Sequence, residues 1–249
     1  MVNKKRWYSK LFLLCLAIFI ISIPISLFIK DSIILLIINI ILKILSITFI
    51  IYYSKKEKFE KPYLEKSSKL NLILLPFLII TFSNFFVVLY DGLKIYNNIN
   101  VPNIILSGIN CLLTAIIEEI IFRHFFLKEF KYTNSTFKSI LFTSLIFGGM
   151  HLLNITSLGS IPTCIVQSLY TFGLGLVLSI IYLFTKNIIY PIVFHFLFNF
   201  INDILITNIF VLNWDIPFFV INIIIAILTG LYALYIYLTF IKETDNYVS

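Results

Sequence analysis

Charge is what this sequence has least of. Only 12% of its 249 residues are Asp, Glu, Lys or Arg, against about 25% in a soluble domain. A chain of this length cannot cover a water-facing surface with so few charges, which excludes a water-soluble enzyme. The 60% hydrophobic content excludes a disordered chain. Cysteine is also scarce: Cys15, Cys111 and Cys164. None stands in a C-x-x-C or similar ligand spacing, which excludes a disulfide scaffold and a thiolate metal site and leaves three small buried hydrophobes. There is no internal repeat of fixed period. The longest polar loop, Ser54–Lys69, is too short to fold alone.

What the sequence does have is long apolar runs. A bilayer core about 30 Å thick needs about 20 apolar helical residues, and eight stretches qualify: Leu11–Ile29, Ser32–Tyr53, Leu70–Tyr90, Ile104–Leu127, Ser139–Leu158, Ile161–Phe184, Ile188–Ile206 and Ile216–Phe240. The start, Lys4-Lys5-Arg6 followed by Leu11–Ile29, has the layout of a signal peptide. Its apolar run is too long and no small-x-small cleavage site follows, so it reads as an uncleaved first span. The expected architecture is all-α: a polytopic helical bundle of eight spans forming a single membrane domain over residues 1–249, with a motif-bearing core over about residues 104–206.

The net charge of +7 invites a nucleic-acid reading, which the placement of the charges opposes. Sixteen of the nineteen Lys and Arg residues fall in alternate connections: the N-terminal tail, Lys55–Lys69, Arg123–Lys138, Lys186 and Lys242. Only Lys30 and Lys94 fall on the other side. Such asymmetry marks the cytoplasmic face and predicts both termini there. The basic residues flank helix ends, where anionic lipid attracts them, and they form no stripe interleaved with aromatics of the kind nucleic acid requires. The expected partners are therefore the lipid bilayer and a peptide or membrane-protein substrate, with no nucleic acid. The richness in Ile, Lys, Asn and Phe resembles the product of an AT-rich bacterial genome, which places the protein in a bacterial cell membrane.

An ionisable side chain inside a span costs about 2.5–3.5 kcal/mol on insertion scales and needs a partner or a task. Span two carries Lys43, to which we assign a structural role, either snorkelling or paired with a glutamate of another span. Span four carries Glu118, Glu119, Arg123 and His124, span five carries His151, and span seven carries His195 with Asn199 one turn on. Glu119 and Arg123 are four apart, so they meet on one helix face as an ion pair. Glu118 is turned about 100° away. One carboxylate is thus paired and one is left over, suited to take a proton from water in a low-dielectric interior. His195 and Asn199 project from one face, and an intramembrane Asn places that face in the protein interior. His124, beside Arg123, reads as interfacial. By helix rise, Glu118 lies about 15 Å before Lys128, His195 about 10–13 Å past Lys186 and His151 about 20 Å past Lys138. These depths are compatible with one site.

Glu118, His151, His195 and Asn199 form a water-activating set. Glu118 acts as general base assisted by His151, and His195 and Asn199 stabilise an oxyanion. The alternative at this level is a divalent metal, zinc foremost, held by Glu118, His151 and His195 with water in the open position. The His-Glu-x-x-His spacing of common zinc proteases is absent.

Glu118-Glu119-x-x-x-Arg123, Phe147-x-x-x-His151 and His195-x-x-x-Asn199, in this order on three helices, resemble the three motifs of the CPBP family. These are the CAAX prenyl protease type 2 and bacteriocin-processing membrane endopeptidases, also called the Abi family. The motifs span about a third of the chain. The resemblance implies a multi-helix fold whose active site opens toward the cytoplasm. It implies water activation by Glu118 with His151, oxyanion stabilisation or metal contact by His195 and Asn199, and support from Glu119 and Arg123. It leaves glutamate and metal mechanisms both open; Asn199 suits an oxyanion donor better than a zinc ligand, which favours the mechanism without a cofactor. Two other readings compete. One is a catalytically silent scaffold or bacteriocin-immunity protein. The other is a proton-coupled transporter, which predicts an internal repeat that the sequence does not show.

Overall fold

The computed structural model of the protein describes residues 32–56, 62, 80–96, 98–131, 134–154, 160–211 and 216–241. Among these residues the chain is helical, without a strand; an isolated antiparallel bridge joins Ile95 to Phe210. In chain order the helices are α1 (Ser32–Lys56), α2 (Ser83–Asp91), α3 (Val101–Lys131), α4 (Thr136–Asn154), α5 (Ile161–Thr185), α6 (Ile189–Ile209) and α7 (Ile216–Ile236). All but α2 are long and apolar enough to cross a membrane, which makes six candidate spans among the described residues. They correspond to the second and the fourth to eighth predicted stretches. The predicted first span, Leu11–Ile29, lies outside the described residues, as do both predicted cytoplasmic tails. So does most of the third span, Leu70–Tyr90, whose described part contains the start of α2.

Local sequence explains the helix ends. The Asn100 side chain accepts a hydrogen bond from the Asn103 N–H at 3.0 Å, and Pro102 occupies the first turn of α3, a start that satisfies one orphan donor and needs none at the proline. The Ser135 hydroxyl oxygen accepts from the Lys138 N–H at 3.4 Å to open α4. Helix α5 stops at Lys186, which adopts a left-handed φ of 48° and returns its N–H to the Tyr182 carbonyl at 2.9 Å, closing the helix end.

Helix α5 lies at the centre, packed on α4 along one side and α7 along the other. Its Leu174, Val177, Leu178, Ile181 and Tyr182 are buried with Phe194 and Phe198 of α6 and Ala233 and Ile236 of α7. Small residues set these crossings, as they do where van der Waals packing drives helix association in lipid. A Cβ placed on Gly148 of α4 would lie 2.7 Å from the Ser168 carbonyl oxygen of α5, and one on Gly173 would lie 3.1 Å from that of Ala226 in α7. The Ser168 hydroxyl donates to the Gly148 carbonyl at 2.9 Å.

The helices carrying the three motifs are not uniform. Helix α3 is regular through Glu119 and then widens to a π-helix over Ile120–Leu127. Helix α6 is regular through Asn199 and widens over Phe200–Ile206. Helix α4 tightens to a 3₁₀ turn over His151–Asn154. Periodicity alone predicts uninterrupted spans here. Departures of this kind recur at functional sites, and each begins at or immediately after a motif residue.

Away from the motifs, a second polar node ties α2, α6 and α7. Asn202, 2% exposed, uses its whole side chain. Its Oδ1 accepts from the Ser83 hydroxyl (3.1 Å) and the Asn84 N–H (2.9 Å), and its Nδ2 donates to the carbonyls of Thr81 (2.8 Å) and Phe198 (2.9 Å). Asn222 of α7 donates to the Asn84 side-chain oxygen and the Phe218 carbonyl.

Candidate active site

The motif side chains converge where α3, α4 and α6 face one another. Glu119 and Arg123 are both fully buried, and Nε of Arg123 lies 2.9 Å from Oε2 of Glu119. The contact is a close ion pair without the alignment of a hydrogen bond, and Nη1 and Nη2 of Arg123 find no acceptor among the described residues. Oε1 of Glu119 takes a second partner, Nδ1 of His195, at 2.9 Å. With a carboxylate as acceptor, Nδ1 carries the proton in this bond. That leaves Nε2 on the far side of the ring, 3.7 Å from Oε2 of Glu118. The buried His195 ring therefore stands between two carboxylates of consecutive residues. Sequence reasoning paired Glu119 with Arg123 and left out His195; the four-residue rule sees contacts along a helix and is blind to a neighbour arriving from another one.

Glu118 differs from Glu119 in its surroundings. Its side chain keeps 21% of its surface, whereas that of Glu119 keeps none. Its distance to His195 is too long for a direct hydrogen bond and fits a bridging water.

His151, half-buried, donates from Nδ1 to the Phe147 carbonyl one turn back, at 2.9 Å, and its Nε2 is left as the free nitrogen. Its titratable neighbours are Glu118 and His195. Phe147, 1% exposed, is the platform for the cluster. Its ring meets those of His151 and His195 edge-on, at centroid distances of 5.2 and 5.7 Å. The Arg123 guanidinium lies 4.7 Å from the same ring, a cation–π contact. Gly148 lets α4 approach α5 closely enough to place Phe147 and His151 there. Of the expected set, the structure brings Glu118, Glu119, Arg123, His151 and His195 together. Asn199 is half-buried one turn past His195, without a hydrogen bond from its side chain to those residues among the described contacts.

This segment is that of a known protease family. Residues 100–201 match the family model described as type II CAAX prenyl endopeptidase, Rce1-like. No curated protein and no solved structure matches the chain. The Rce1-like segment covers about two fifths of the sequence and holds every residue of the three motifs, in agreement with the resemblance drawn from them.

Two further intramembrane groups near the Rce1-like site were read differently from sequence. His124 is buried rather than interfacial, with Nδ1 3.2 Å from the Tyr182 hydroxyl. Asp203, assigned to a span end by sequence, falls in the widened part of α6, and His195 is its titratable neighbour. As for a metal, no three of the described His, Cys, Asp and Glu side chains are grouped as ligands. Glu118, His151 and His195 do not form a coordination shell as they stand.

Proposed function

We propose that the protein is an intramembrane endopeptidase that hydrolyses a peptide bond of a peptide or membrane-associated protein near the cytoplasmic leaflet of a bacterial cell membrane. Glu118 accepts a proton from the attacking water, and Nε2 of His151 takes a hydrogen bond from the same water. The water oxygen bonds to the scissile carbonyl carbon. Asn199, through its amide N–H, and His195, through Nε2, are the donors for the resulting oxyanion. When the C–N bond breaks, Glu118 returns its proton to the leaving amine. Glu119 and Arg123 hold the His195 ring in place, and no step needs a serine or cysteine.

The observation that carries this reading is the bracketing of His195: Glu119 at 2.9 Å on one nitrogen and the less buried Glu118 at 3.7 Å on the other. It gives two neighbouring carboxylates distinct tasks, one orienting and one open to solvent. The test compares peptide termini in membranes of cells producing the native chain or Glu118→Gln. Cleavage at the substrate bond is expected to fall by about 10²- to 10⁴-fold, the size of a general-base contribution, with the variant still membrane-integrated. Undiminished cleavage overturns the assignment. A chain that protects against a bacteriocin equally well as Glu118→Gln is an immunity protein without catalysis. Turnover by the purified native chain is expected to survive a strong chelator; loss restored by zinc replaces the glutamate mechanism with a metal one.

A further inference from the structure

Lys43 is the sole charged residue of α1 before Lys55. It is half-buried, and its ammonium is held by neutral groups: Oδ1 of Asn110 at 2.6 Å and Oγ1 of Thr114 at 2.7 Å, both on α3. An ammonium has three donors, so one N–H remains uncommitted among the described contacts. No carboxylate among the described residues comes within ion-pair distance of it. The expected snorkelling or glutamate pairing is thus not what is found.

The position of the anchors gives this cation a meaning. Asn110, Thr114 and Glu118 are successive members of one α3 face, each about 6 Å along the axis from the last. Lys43 docks on the first two, and Glu118 is the third; the two charges are electrostatic neighbours without touching. A fixed positive charge thus stands about one turn from the open carboxylate, on the wall of the same site. Arg123 is already engaged by Glu119, which makes Lys43 the cation near Glu118 with a donor to spare.

We infer that Lys43 is a specificity residue that binds a carboxylate of the substrate, the C-terminal one, through the ammonium N–H left over by Asn110 and Thr114. The inference rests on the reading of Glu118 as the reacting base, because it places the bound carboxylate beside the bond being cut. Asn110 and Thr114 position the ammonium, and Lys43 touches the substrate.

The test measures binding, so that it does not depend on turnover. The full chain carrying Glu118→Gln is purified in detergent. It is titrated with a fluorescein-labelled tetrapeptide of Phe, Leu and Val that ends in a free carboxylate, in a carboxamide, or in a carboxamide with Asp as last residue. The free carboxylate is expected to bind at least 10-fold tighter than the plain carboxamide. Lys43→Gln should bring the two within 2-fold, and Lys43→Arg should retain most of the preference. A second variant, Thr114→Val, removes one anchor without touching the charge and should cut the preference at least 3-fold. Equal binding of the two probes by the unsubstituted Lys43 chain overturns the inference, as does a preference unchanged by Lys43→Gln or Thr114→Val. Equal weakening of both probes also overturns it and assigns Lys43 to balancing charge at the site. Tighter binding of the Asp peptide than of the free carboxylate overturns the choice of the terminal group. If the free-carboxylate preference holds while cells carrying Glu118→Gln keep full cleavage, Lys43 stands as a carboxylate site and the glutamate mechanism falls.

Discussion

The molecule contains two polar nodes in an otherwise apolar body, and they are built on opposite rules. The asparagine node of α2, α6 and α7 is neutral and saturated: all four hydrogen-bonding positions of Asn202 are filled. The node of α3, α4 and α6 is charged and unsaturated. Glu118, Glu119 and Arg123 all leave buried oxygen or nitrogen atoms without an aligned hydrogen bond. A buried polar group that lacks a partner costs about 1–3 kcal/mol, so a structure that needed only helix clamps would use the first rule throughout. The second rule is tolerated where spare hydrogen-bonding capacity is needed for something else. The saturated node fixes helices, and the unsaturated one retains capacity for water and substrate.

This contrast can be broken most forcefully at Arg123. Arg123→Ala leaves Glu119 buried without its counter-charge, and removal of one partner of a buried pair costs about 3–5 kcal/mol. The yield of folded protein, read by size-exclusion profile in detergent, should fall well below that of Glu118→Ala. Equal yields would mean that the pair contributes little. Next in size is Asn202→Leu, which strands the Asn84 N–H and two carbonyls at about 1–3 kcal/mol for an unsatisfied group. Thermal unfolding should shift downward while the cleavage rate of the protein that remains folded stays near native. A large change in rate per folded molecule would erase the distinction between the nodes. The finest comparison uses adjacent glycines in the second motif. Gly148→Ala drives a methyl into the Ser168 carbonyl and should cost about 1–3 kcal/mol through overpacking, with loss of activity as His151 is displaced. Gly149→Ala meets no atom within 4 Å and should stay within about 0.5 kcal/mol of native, as a surface change does.

The fold class and the six described spans were legible because a bilayer demands long uncharged helices, and hydropathy reads that demand directly. The site was legible for a related reason: Glu118, Glu119, Arg123, His151 and His195 stand out against apolar surroundings, and spacing alone pairs Glu119 with Arg123. What was not legible depends on contacts between helices. Nothing along the chain says that Glu119 reaches His195, that Phe147 seats both histidines and the guanidinium, or that Lys43 docks on Asn110 and Thr114. His124 was placed at an interface because its neighbour Arg123 is charged, and Tyr182 lies 58 residues away in sequence. The changes of helix type also escaped, because a 3.6-residue period is presumed by the very test that looks for helices.

Those changes of type bear on how the protein can vary. Past Glu119 and past Asn199 the coil carries an extra residue per hydrogen-bonded loop, so its later side chains are out of phase with its earlier ones. Deleting a single residue from Ile120–Leu127 would let the coil close into an ordinary one and swing all that follows by about 100°, which would send the downstream half of α3 to face new neighbours. The widened stretches are thus phase joints. They let the halves of α3 and α6 that hold Glu118, Glu119, His195 and Asn199 keep one bearing while the halves beyond are aimed elsewhere.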